Sequence, residues 1–183
     1  MANILTLSRF FLIVPFAMMF FASYSGAMII ALAIFVVASL TDFFDGWVAR
    51  ARGETSALGA ALDPIADKAL AAIAILLLTK NGIIRDASVV AGAIILFREI
   101  LVSGLREALG GRGQQLPVTS LAKIKTAAQL IALTLFLATA PGGLTNEPLI
   151  RTIAEMTFWL AALLTLWTGA IYTRAAVSIL RRD

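Results

Sequence analysis

The sequence predicts an all-α integral membrane protein with six transmembrane helices in one bundle and both termini cytosolic. Three observations carry that expectation. Of 183 residues, 60% are apolar and only 14% charged, whereas a soluble domain runs at about 45–50% apolar and about 25% charged; so short a chain has too little interior to hide the excess. The apolar residues fall in runs long enough to cross a bilayer, which takes about 20 residues at 1.5 Å each. The cations gather at one set of run ends, as membrane insertion favours.

From Arg9 to Asp42 the chain carries no charge for 32 residues. The turn-like Ser23-Tyr24-Ser25-Gly26 divides that stretch into helices over about Leu5–Ala22 and Ala27–Ala49. A third helix runs from about Asp63 to Thr79, where Asp63-Pro64 also reads as a helix cap followed by proline at the first helical position. A fourth covers about Ala87–Leu109. The fifth covers about Lys123–Ala140 and stops at Pro141-Gly142-Gly143, and the sixth covers about Ile153–Leu180. Six such spans use roughly 120 residues, so residues 1–183 read as a single membrane domain. No cleaved signal peptide is expected, because a second apolar run follows the first at once. No internal repeat stands out.

With the N-terminus inside, the cytosolic ends and loops hold ten cations: Arg9, Arg50, Arg52, Arg106, Arg112, Lys123, Lys125, Arg174, Arg181 and Arg182. The opposite side holds three, Lys80, Arg85 and Arg151. Net charge is +4, but the cations lie between apolar runs. That favours anionic headgroups or a phosphorylated substrate over nucleic acid.

The chain has no Cys and no His. This excludes disulfides, thiolate zinc sites, thiol catalysis and histidine nucleophiles, and leaves chemistry to carboxylates, hydroxyls, Lys and Arg. Four carboxylates stand near the cytosolic ends of the second and third spans: Asp42, Asp45, Asp63 and Asp67. Each would cost about 2.5–3.5 kcal/mol at the centre of a membrane helix. Positions 42, 45 and 49 are three and four apart, as Asp63 and Asp67 are four apart, so each set shares a helix face. A short connection makes the two helices neighbours. Converging carboxylates raise one another's pKa, and a divalent cation removes the conflict. All-oxygen ligation indicates Mg²⁺, Mn²⁺ or Ca²⁺, and paired metals about 3.5–4 Å apart are usual in phosphoryl displacement. Gly46 and Ala49 leave room for a phosphate, Arg50 can hold one in a bidentate fork, and Gly59 permits close helix approach. Any one of these residues could serve helix packing alone; the set together is not explained that way.

Asp42-Phe-Phe-Asp45-Gly46-Trp-Val-Ala49-Arg50, followed by Gly59, Asp63 and Asp67, resembles the signature of the CDP-alcohol phosphatidyltransferase family, D-x2-D-G-x2-A-R-x8-G-x3-D-x3-D. It departs from that pattern nowhere, and eight fixed positions match by chance on the order of 10⁻¹⁰ per start position. The likeness continues at Asn3-Ile-Leu-Thr6-Leu-Ser-Arg9. Phe97-Arg98-Glu99-Ile-Leu-Val-Ser103-Gly104-Leu-Arg106-Glu107 and Lys123-Ile-Lys125-Thr126 are similar to segments of family members that use glycerol 3-phosphate.

The resemblance implies a fold of six spans and a reaction between CDP-diacylglycerol and an alcohol with release of CMP. It implies two Mg²⁺ or Mn²⁺ ions on Asp42, Asp45, Asp63 and Asp67, with Asp67 accepting the hydroxyl proton. It assigns Gly46, Arg50 and Ser56 to the nucleotide and phosphates, with Thr6 and Asn3 contributing. It also suggests a homodimer, while the apolar runs and the cation bias predict a multi-pass protein of the cell inner membrane with the active site facing the cytosol among membrane lipids. Glycerol 3-phosphate is a dianion and needs a second basic cluster, which Arg106, Lys125, Lys123 and Arg174 could supply; the other reading of each is an ordinary positive flank. Arg98 and Glu99 could form an intramembrane ion pair, and Gln129 could meet substrate or bridge helices. Serine, inositol phosphate or a phospholipid are alternative acceptors. A cation transporter or a non-catalytic membrane scaffold are readings from other classes.

Overall fold

The computed structural model describes the backbone of residues 2–52, 57–111 and 119–181, and the side chains of residues 11–41, 65, 68–111 and 119–181. Its elements are six α-helices in chain order: α1 (Ala2–Met19), α2 (Ala27–Arg52), α3 (Ala57–Lys80), α4 (Ala87–Gly110), α5 (Ser120–Ala138) and α6 (Pro148–Leu180). No strand occurs among the described residues. This is an all-helical membrane protein. The helices α4, α5 and α6 are each long and apolar enough to cross a bilayer, and the apolar part of α2 described in full is Ala27–Thr41.

Local chemistry explains where the helices differ from the expected bounds. The α1 helix ends at Met19, three residues early, because the chain tightens there. Phe20, Phe21 and Ala22 donate to the carbonyls of Ala17, Met18 and Met19, a three-residue spacing too tight for an α-helix. The α3 helix begins at Ala57 rather than Asp63, so Asp63 is not its cap and Pro64 lies inside it. The α5 helix begins at Ser120, three residues before Lys123, because Thr119 caps it: its Oγ1 accepts from the Ala122 N–H at 3.3 Å. The α6 helix begins at Pro148, the first-turn position where a missing N–H costs nothing. At 33 residues it is about 50 Å long, well beyond the ~30 Å hydrocarbon core.

The chain divides into two compact units. The first comprises Met1–Ile84 with Leu133–Thr152, and in it α1 packs on α2 and α3, and α2 on α3. Phe16 of α1 and Phe35 of α2 are fully buried with ring centroids 5.9 Å apart, and Phe20 meets Phe16 edge-on at 5.3 Å; such pairs add about 0.5–1.5 kcal/mol beyond the area they bury. The α3 helix closes on Gly82 at φ 67°. The Gly82 N–H donates to Thr79 at 3.0 Å and the Ile83 N–H to Leu78 at 2.9 Å, the paired bonds that satisfy terminal carbonyls at a glycine C-cap. Arg151 donates to the Ile83 carbonyl, and its guanidinium lies 4.9 Å from the Phe136 ring. After α5 the chain turns so tightly that a Cβ at Gly143 would lie 2.6–2.8 Å from three backbone carbonyl oxygens.

The second unit comprises Arg85–Ala132 with Ile153–Asp183, and so holds α4, most of α5 and most of α6. Val102, Leu109, Tyr172 and Ala176 form a buried cluster, with Leu105, Ala122 and Ile179 packed against it. Phe97, Ile100 and Trp167 are 67%, 75% and 65% exposed, as befits helices whose outer faces meet lipid rather than water.

Candidate functional site

The signature residues are carried by two helices that pack on each other. The α2 backbone is helical without interruption to Arg52, so positions 42, 45 and 49 keep their three- and four-residue spacing on continuous helix. The α3 backbone is likewise helical through Gly59, Asp63 and Asp67, and α3 contacts α2. Only 53–56 separate the two helices in sequence. The side chains of Asp42, Asp45, Arg50, Asp63 and Asp67, the surroundings of Gly46, and the side chains of Asn3 and Thr6 on α1 lie outside the described residues, as does Ser56 entirely. The donor set fits a hard divalent cation: four carboxylates on two contacting helices, in a chain with no imidazole or thiolate.

The second unit contains a buried polar network among apolar helices. Arg98 and Glu99 are neighbours on α4, and Arg98 Nη1 donates to Glu99 Oε1 at 3.1 Å. Lys125 of α5 also donates to Glu99 Oε1. Arg98 Nη2 donates to Thr168 Oγ1 of α6 at 3.1 Å. The three charged side chains are 8%, 16% and 4% exposed in the order Arg98, Glu99, Lys125. A buried charge costs several kcal/mol unless it is paired and hydrogen-bonded, which is why these meet. The pairing ties α4 to both α5 and α6.

Tyr172, one turn beyond Thr168 on α6, extends the network. Its ring centroid lies 5.4 Å from the Arg98 guanidinium carbon and 5.2 Å from that of Arg106, so one aromatic face system serves two cations. Its hydroxyl accepts the Thr119 N–H at 3.0 Å, at the residue that caps α5. Two buried polar atoms, Arg98 Nε and Thr165 Oγ1, have no partner among the described residues.

The structure therefore joins two of the four sequence-predicted acceptor residues. Arg106, exposed on α4, connects through Tyr172, Arg98 and Glu99 to Lys125. Lys125 itself is 3% exposed, so it is not the solvated flank that a count of helix-end cations assumes. Lys123 and Arg174 are exposed, and among the described residues no hydrogen bond or ion pair joins them to the network. Gln129, one turn after Lys125, is buried. The ion pair expected of Arg98 and Glu99 is present. Sequence reasoning missed Thr168, Gly169 and Tyr172; their one signal was a polar or side-chain-free position recurring through an otherwise apolar helix.

The family model for CDP-alcohol phosphatidyltransferase matches residues 1–167. The chain is 38% identical to a CDP-diacylglycerol–glycerol-3-phosphate 3-phosphatidyltransferase of Cereibacter sphaeroides, over 84% of each chain. A protein of the same name from Rickettsia bellii is 38% identical over 94% of this chain and 93% of its own. One from Salmonella typhimurium is 36% identical over 95% and 93%.

Proposed function

The chain belongs to the CDP-alcohol phosphatidyltransferase family, a family of membrane enzymes, and from that membership we propose that it transfers the phosphatidyl group of CDP-diacylglycerol to glycerol 3-phosphate, giving phosphatidylglycerophosphate and CMP. The observation that carries the reading is the complete signature over Asp42–Asp67, in a chain similar along most of its length to relatives named for this activity.

Asp67 accepts the proton of the attacking hydroxyl, whose oxygen bonds to the phosphorus bearing the lipid as the bond from that phosphorus to CMP breaks. Arg50 receives phosphate oxygens in its planar fork. Gly46 leaves room for them beside α2, and Ser56, Thr6 and Asn3 contribute to the nucleotide end. Asp42, Asp45, Asp63 and Asp67 would hold two Mg²⁺ or Mn²⁺ ions. Bound there, such ions supply neutralisation of the diphosphate and of the departing CMP. Arg106 and Lys125 take the acceptor's phosphate, with Lys123 and Arg174 adding positive charge at the helix ends.

The same reading takes residues 1–183 as one domain of six spans in the cell inner membrane, with both termini and the active site cytosolic, working as a homodimer. With the buried Lys125 left out of the ten, the cations still divide nine to three, which supports that orientation.

The test is CMP release by the purified protein in micelles of detergent and CDP-diacylglycerol, with Mg²⁺ or Mn²⁺. Glycerol 3-phosphate, serine, inositol phosphate and phosphatidylglycerol are supplied separately. Release is expected with glycerol 3-phosphate alone, abolished by EDTA, restored by added metal, and reduced about 10²–10⁴-fold by Asp67→Asn. Release with a different acceptor would overturn the substrate. Release that Asp67→Asn leaves intact would overturn the base.

A further inference from the structure

Arg98 crosses α6 where α6 has no side chain. A Cβ built on Gly169 would stand 2.9 Å from Cγ of Arg98, 3.7 Å from its Nε and 3.9 Å from its Cδ. Cγ lies near the root of the side chain, held by the α4 backbone, so swinging the guanidinium alone does not relieve that contact. On either side of this gap α6 holds the arginine: Thr168 Oγ1 accepts from Nη2 at 3.1 Å, and the Tyr172 ring lies 5.4 Å from Cζ. Gly169 is itself buried. Arg98 thus owes its place to three α6 positions, and from that place Nη1 reaches Glu99 Oε1. Lys125 donates to the same oxygen. The seat of Arg98 therefore decides how one carboxylate oxygen is divided between two cations on different helices.

We propose that Gly169 is a positioning residue for the acceptor site: by admitting the stem of Arg98 it keeps Arg98 on Glu99, and so keeps Glu99 from drawing the Lys125 ammonium wholly to itself. This rests on the assignment of Lys125 to the acceptor phosphate. A methyl group at 169 displaces Cγ and pulls Nη1 from Oε1. With its charge no longer shared with Arg98, Glu99 neutralises the Lys125 ammonium more fully, and the attraction of Lys125 for a phosphate dianion falls. The substitution changes no residue assigned to the nucleotide or to proton transfer, so acceptor binding suffers while turnover at saturation does not.

The experiment uses the full chain in mixed micelles and four proteins: the native sequence, Gly169→Ala, Arg98→Ala and the double variant. Alanine is the better helix former, so Gly169→Ala is expected to fold, and thermal unfolding is measured beside the kinetics. Gly169→Ala is expected to raise KM for glycerol 3-phosphate about tenfold, the scale of one lost charged hydrogen bond. KM for CDP-diacylglycerol and kcat should stay within about twofold. Arg98→Ala removes the Cγ that the new methyl would strike, so in that background Gly169→Ala should add nothing. The proposal is overturned if KM for glycerol 3-phosphate is unchanged, if the penalty persists in the Arg98→Ala background, or if both KM values rise together with a lower unfolding temperature. If the native sequence itself fails to release CMP with any phosphorylated acceptor, the functional reading has failed and the proposal falls with it, an outcome distinct from failure of the variants alone.

Discussion

Replacing Glu99 by Gln removes the charge on which Arg98 and Lys125 converge while keeping nearly the same shape. At the 3.1 Å separation of Arg98 Nη1 and Glu99 Oε1, Coulomb's law at an effective dielectric of about 20 gives an attraction of roughly 5 kcal/mol. Desolvation offsets part of that in the intact protein. Removing one partner alone, however, leaves the desolvation of the others in place, and costs about 3–5 kcal/mol for buried pairs. Hydrogen bonds between membrane helices measure lower, averaging about 0.6 kcal/mol, and the Gln amide oxygen still accepts one. We therefore expect Glu99→Gln to lower stability by about 3 kcal/mol. The assay is reversible unfolding by titration of a denaturing detergent into mixed micelles. A second variant, Lys125→Met, and the double variant complete a cycle. The coupling between Glu99 and Lys125 should exceed about 1 kcal/mol, and the double variant should be less damaged than the two single losses summed. A loss below about 1 kcal/mol for Glu99→Gln, with additive behaviour in the cycle, would refute the claim that this carboxylate binds α4 to α5.

Three further outcomes follow from the geometry. Gly143→Ala should cost roughly 3 kcal/mol, on the scale of enforced backbone strain, because its methyl meets the carbonyl oxygens of Leu137, Ala138 and Ala140 at 2.6–2.8 Å; an unfolding temperature equal to native would contradict it. Tyr172→Phe keeps the ring beside Arg98 and Arg106 but strips the acceptor from the Thr119 N–H, so it should cost about 1 kcal/mol and leave KM for glycerol 3-phosphate nearly native, whereas Tyr172→Leu should raise that KM. Arg106→Ala should raise KM for glycerol 3-phosphate by about tenfold or more and leave KM for CDP-diacylglycerol alone; equal effects on both would remove Arg106 from the acceptor site.

The helices were legible because each is specified by a local quantity. Apolar length set α4 almost to the residue, from Ala87 to Gly110. Boundaries were missed where a few local hydrogen bonds decided them. The Thr119 cap moved α5 to Ser120, and tight turns at Phe20–Ala22 shortened α1. Asp63-Pro64 shows the opposite failure. Two residues with the chemistry of a helix start sit inside α3, since a proline within a membrane-embedded helix can have its missing hydrogen bond compensated by neighbouring groups. The signature was legible for a different reason. Its eight residues are ones that membrane helices otherwise avoid or that leave space, and their spacing is fixed by helix geometry alone, so no tertiary knowledge was needed to read them.

The buried polar network of the second unit had no such code, because its meaning lies in pairings between distant positions. Lys125 counts as a positive flank in any sum over helix ends, and only its burial against Glu99, 26 residues away in sequence, takes it out of that class. Gly169 is the sharper case. A glycine in a 33-residue apolar helix reads as ordinary close packing between helices, and nothing in Trp167-Thr168-Gly169-Ala170 says what approaches it. The approach comes from Arg98, 71 positions earlier in the numbering, and the contact is made by aliphatic carbon rather than by charge. A residue that acts by lacking an atom leaves no chemical signal of its own, so its role is defined only by the side chain that occupies the space. For that reason the loss on Gly169→Ala should be conditional on Arg98, while the loss on Asp67→Asn should not be conditional on any residue of α6.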